Sequence, residues 1–122
     1  MLATQISAAQ QFQAQPPASL AAGTNNGAWI DIRPLEGQAL LDILIGAVTG
    51  NVTVKLQDAT DIAGTGAADV AGITTAALSA ANTPTKVPFL PDPTRGFVRV
   101  VSTVVTGPCL VGVAILGHAK YS

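Results

Sequence analysis

The side chains in this 122-residue chain that could attack a bond or carry a proton are few, and they are scattered. Cys109 is the only cysteine, His118 the only histidine, and the seven carboxylates are Asp31, Glu36, Asp42, Asp58, Asp61, Asp69 and Asp92. A nucleophile needs a base beside it and a third group to orient that base, and no such set is suggested by the spacing. Cys109 opens the apolar run CLVGVAIL and reads as a buried structural thiol. A lone cysteine forms neither an intrachain disulfide nor a cysteine-based zinc site. His118 stands near the chain end with no carboxylate or thiol close by in sequence, and reads as an exposed terminal residue. Asp58, Asp61 and Asp69, with glycines at 64, 66 and 72, have the oxygen ligands a hard cation takes, but their spacing matches no EF-hand or glycine-aspartate repeat. Gly64-Thr65-Gly66 is a fragment of a phosphate loop without the strand and helix that such a loop joins. The expectation is a chain that is not an enzyme, with no catalytic residue, no metal and no cofactor.

Composition points to surfaces instead. Hydrophobic residues make up 48% of the chain and charged ones 11%, when a soluble domain usually has about 25% charged. Such a surface is either covered by protein or built from small polar residues, so an oligomer is expected. The net charge is −1, and the six basic residues form no cluster longer than Arg95 and Arg99. That argues against nucleic acid, whose phosphates are met by several lysines or arginines together. Val100 to Gly117 is uncharged over nearly a membrane span, but Gly107-Pro108 near its middle makes two strands and a turn the reading, so no membrane partner is expected. The N-terminus has neither the basic start nor the apolar core of a secretory signal.

The elements that position these residues are strands. In NVTVKLQD, residues 51 to 58, Val52, Val54 and Leu56 alternate with Thr53, Lys55 and Gln57, the period of a half-buried strand. In GFVRVVSTVV, residues 96 to 105, Val98, Val100 and Val104 oppose Phe97, Arg99, Val101 and Thr103, which predicts a central strand. Further strands are expected at 28–34, 39–48, 85–90 and 109–116, the fifth of these six demoted to an edge by Pro88, with a short one near 70–75. A turn is expected at Thr24 to Gly27 and another at Leu35 to Gln38. The 39–48 strand is apolar on both faces apart from Asp42, so one face should pack in the core and the other at a subunit interface or under the N-terminal arm. Residues 1–23, rich in Ala and Gln with Pro16-Pro17 and no charge, read as an extended N-terminal arm, and 24–122 as an all-β, antiparallel β-sandwich domain.

The pairing of VKLQDATD with RGFVRVVSTVVTG and then VGVAILG resembles a family of small virion proteins of tailed bacteriophages. There a strand of the type V-x-L-Q-x-S/A-x-D, a loop with Asp and Gly, and a hairpin of the type R-Y/F-V-R-V-x-x-T-V-x-x-G follow in order. The matching residues are Val54, Leu56, Gln57, Ala59 and Asp61, then Arg95, Phe97, Val98, Arg99, Val100, Thr103, Val104 and Gly107, within a likeness covering residues 28–118. The loop after Asp61 lacks the aromatic residue often found there, and the N-terminal arm has no counterpart. The resemblance implies a jelly-roll-like sandwich that forms homotrimers and decorates the outer surface of the phage head, with the major capsid protein and its own copies as partners. On that reading the oligomer contact is expected at Leu40, Leu44, Val48 and Arg99, and a capsid-contacting arm at Leu2, Ile6 and Phe12. A tail or baseplate protein of the same fold is the alternative, as is a carbohydrate- or receptor-binding module, although exposed aromatics are scarce.

Overall fold

The computed structural model describes residues 9–91 and 94–119. Every regular element among them is a strand: β1 (Ala9–Leu20), β2 (Gly23–Asn26), β3 (Ile30–Asp31), β4 (Leu35–Val48), β5 (Asn51–Ala59), β6 (Ala68–Thr74), β7 (Thr83–Phe89), β8 (Phe97–Val105) and β9 (Cys109–Ala119). Two antiparallel sheets pack face to face. One has the order β1-β9-β4-β7, the other β2-β8-β5-β6, with β3 also paired to β8. This is an all-β, antiparallel sandwich, and the chain crosses from one sheet to the other at most of its turns.

The alternation read from sequence sets which side chains meet between the sheets. Leu41, Ile43 and Ile45 of β4 and Val111, Val113 and Ile115 of β9 point inward from the first sheet. Val52, Val54 and Leu56 of β5 and Val98, Val100 and Val104 of β8 meet them from the second, all nearly or fully buried. Each such side chain contributes roughly 1.5–3 kcal/mol on leaving water. Cys109 lies in this core, as its apolar run predicts. The 100–117 stretch is most of β8, a turn and most of β9, two strands that lie in opposite sheets.

Several boundaries differ from expectation. The turn at 24–27 is largely strand β2, while 28–34 shortens to β3 because Arg33 and Pro34 leave the ladder to follow Asp31 around a bend. The turn at 35–38 is a bulged start of β4, where Gly37 takes φ +68 and the register with β9 shifts between Glu36 and Leu40. The largest correction concerns the N-terminal arm and the domain boundary at residue 23. Ala9–Leu20 is an edge strand of the sandwich, paired with β9 from Ala9 opposite His118 to Leu20 opposite Cys109. Ala14 and Leu20 are buried, and two register shifts absorb Pro16-Pro17. Backbone pairing along β9 supplies what the small side chains of this segment lack.

Candidate functional site

With the core filled from both sheets, two outer faces remain, and they differ in chemistry. The outer face of the β1-β9-β4-β7 sheet is apolar at its centre, with Gln11 and Gln13 of β1 at one side. From β4 it presents Leu40, Asp42, Leu44 and Gly46, and from β9 Leu110, Gly112, Ala114 and Leu116, the residues that alternate with the buried set. Leu44 is 56% exposed and Leu110 45%. Between them lies a shallow groove of about 290 Å³, floored by Gly46 and Gly112 and walled by Pro17 and Ala18 of β1. Both glycines keep it open: a Cβ at 46 would come to 3.1 Å from Leu110 Cβ, and one at 112 to 3.1 Å from Pro17 Cγ. Lys86 Nζ pairs with Asp42 Oδ1 on this face at 3.2 Å, and Glu36 and His118 meet at its far end. Exposed apolar patches of this kind mark contact surfaces.

The outer face of the other sheet is laced with charge. Arg99 stacks over the Trp29 ring, 4.7 Å from its centroid, and its Nε donates to Gln57 Oε1 at 3.0 Å. Gln57 Nε2 in turn donates to Asp69 Oδ1 at 2.9 Å, and Lys55 pairs with the same carboxylate at 3.1 Å. The Gln57 hydrogen bond and then Lys55 hold Asp69 below the usual carboxylate range. Arg33 stacks on Phe97 and pairs with Asp31 at 2.7 Å, and that hydrogen bond depresses the Asp31 carboxyl. Arg95 clamps the loop after β5 by donating to Asp58 Oδ1 at 2.8 Å, to the Asp58 carbonyl at 2.9 Å and to the Gly66 carbonyl at 2.6 Å. These groups satisfy one another, and the polar cover keeps this face wet.

The loop that raised the question of a cation is closed by its own backbone. Asp61 Oδ1 accepts from Ala63 N at 3.0 Å and from Thr65 N at 3.1 Å. Thr65, through its side chain and then its N–H, lowers the Asp61 pKa. Gly64, at φ +87, lies so close to Trp29 that a Cβ there would overlap the indole. Among the described residues no group of three or more His, Cys, Asp and Glu side chains is placed to hold a metal. His118 has a titratable neighbour that its sequence surroundings do not show: Glu36, opposite it in β4, brings a carboxylate oxygen to 3.7 Å from Nδ1, both side chains exposed.

Of the expected contact residues, the structure brings Leu40 and Leu44 together on the apolar face. Val48 is half-buried against the core, past the second register shift of β4. Arg99 lies on the opposite face, so it shares no surface with Leu44. Phe12 is a correction as well: it pairs with Ile115 and packs against the core, which leaves it no free arm to sit on. Leu2 and Ile6 lie outside the described residues. Leu110 and Gly112 were legible in the alternation of CLVGVAIL, whereas Pro17, Ala18 and Lys86 join the face only through strand pairing.

No family model matches the chain, and no curated protein matches it in sequence. Among solved structures it is similar to the SPBc2 prophage-derived protein YomS, at 11% identity and a TM-score of 0.54, covering 89% of this chain and 93% of that one. PirA is similar at 15% identity and a TM-score of 0.48, covering 91% and 93% of the two chains. A chain of infectious bursal disease virus, Gx strain, is similar at 14% identity and a TM-score of 0.39, with 93% of this chain and 32% of that one covered. The YomS likeness shows a shared β-sandwich fold.

Proposed function

We propose that this chain is a non-enzymatic structural protein of a tailed-bacteriophage virion, and specifically a capsid decoration protein on the outer surface of the head. The observation that carries the reading is the contrast between its two outer faces, one apolar and unpartnered, the other tied up in ion pairs and arginine stacks. A protein with this division works by being covered on one side and wet on the other. The resemblance to small virion proteins supplies the setting, and its matched residues form one connected unit. Val54 and Leu56 fill the core, Gln57 holds Arg99, and Arg95 ties the loop to β5. On this reading the partners are the major capsid protein and further copies of the chain, and the mechanism is mass action. Binding to the assembled shell and not to its separated subunits raises the free energy of opening it.

The test is the number of copies per purified particle, by quantitative mass spectrometry after heads and tails are separated. Hundreds of copies in the head fraction are expected. A few copies, or copies only in the tail fraction, would overturn the decoration reading in favour of a tail or baseplate protein.

A further inference from the structure

We infer that the outer face of the β1-β9-β4-β7 sheet is the docking surface for the same face of a second copy, so that two chains pack sheet against sheet about a two-fold axis. Prolines hinder edge pairing at part of each edge of this sheet. β7 keeps its ladder with β4 across Pro84 and Pro88, so the missing N–H groups belong to its free edge. At the other edge, Pro16-Pro17 interrupts β1 where its register slips. A sheet guarded by prolines at both edges and bare on its face associates through the face.

The occupant is argued from the relief and charge of that face. Leu44 and Leu110 project from it, and the glycines at 46 and 112 leave a groove directly beside them. Knob and hole lie on one patch, which a two-fold axis makes complementary to itself. A three-fold ring would instead need two different patches that fit each other. The charge is balanced as well. Around Leu44 the charges of Asp42 on a central strand and Lys86 on the edge strand cancel, and a two-fold axis near Leu44 can bring each to its opposite on the second copy. The face extends about seven residues along the strands and four strands across, about 24 by 19 Å from standard spacings. Two copies would then bury roughly 900–1,000 Å², at the lower limit for a specific interface, which fits a dissociation constant on the order of micromolar.

The experiment uses the purified full-length chain without phage particles, so its outcome is independent of where the protein resides in a virion. Light scattering at about 100 µM, well above a micromolar dissociation constant, should give twice the monomer mass. Leu44→Ser, at a half-exposed position that the core does not use, should weaken the pair at least tenfold while far-UV circular dichroism stays unchanged. Leu110→Ser should do the same from the neighbouring strand. Leu44→Cys should form a covalent pair on mild oxidation, because only near a two-fold axis does one residue meet itself. A monomer or a trimer for the native chain, a pair indifferent to both serine variants, or failure of Leu44→Cys to cross-link would each overturn the inference.

Discussion

Ser102 is the residue at which the core departs from the hydrophobic rule. It lies on the inward face of β8, opposite Val54, fully buried, and among the described residues its Oγ has no hydrogen-bond partner. A hydroxyl taken out of water without a replacement bond costs about 1–3 kcal/mol. Ser102→Ala removes that cost and leaves only a small void, so the variant is expected to be neutral or more stable by up to about 1 kcal/mol. The check is the urea midpoint at unchanged m value; a loss of more than about 1 kcal/mol would mean that the hydroxyl has a partner, such as a buried water. Sequence alternation places Ser102 on the buried face but cannot say whether a partner waits there. The same limit applies to the contact face. Alternation puts Leu40 and Leu44 on one face of their strand, while which face meets the core, and the position of Arg99 on the opposite sheet, depend on which strands pair with which. That information is absent from the period of any single strand.

At the scale of elements, the strands with β-branched or aliphatic alternation were legible. β5, β8 and β9 begin at or within a residue of where their sequences predict. β1 was not, for a physical reason: AQQFQAQPPASL has few residues with strand propensity and buries little beyond Ala14, Leu20 and part of Phe12. It is held by its ladder to β9, and ladder partners are set by the whole fold. This changes how a capsid-contacting N-terminus is to be tested. Removing residues 1–20 also strips β9 of its neighbour and bares a long apolar strand edge, so the product is expected to aggregate whatever the arm does. Removing only residues 1–8 leaves β1 whole. The control is that this shorter variant keeps the unfolding free energy of the full chain within about 0.5 kcal/mol. Its attachment to heads can then be read without a folding defect. A large loss of stability would show that the first eight residues belong to the sandwich.

At the scale of the whole molecule, folding and association should be linked. One core joins the two sheets, so the domain is expected to unfold as a unit, with fluorescence of Trp29 and far-UV circular dichroism giving one transition. If two folded chains pair through the apolar face and unfolded chains do not, association draws the equilibrium toward the native state. The midpoint then depends on protein concentration. Above the dissociation constant, each tenfold rise in concentration should stabilise the pair by about 1.4 kcal/mol, the free energy of a tenfold change in mass action, and so each chain by about 0.7 kcal/mol. For a domain of this size the shift is a few degrees in thermal midpoint. Leu44→Ser should flatten the dependence without lowering the midpoint measured in dilute solution, since Leu44 contributes to the contact and little to the core. A native chain whose midpoint is the same from dilute to concentrated solution would show that the face stays bare until a different partner covers it. On the decoration reading the cover would then come from the shell, and the apolar groove between Leu44 and Leu110 would be the place to look for it.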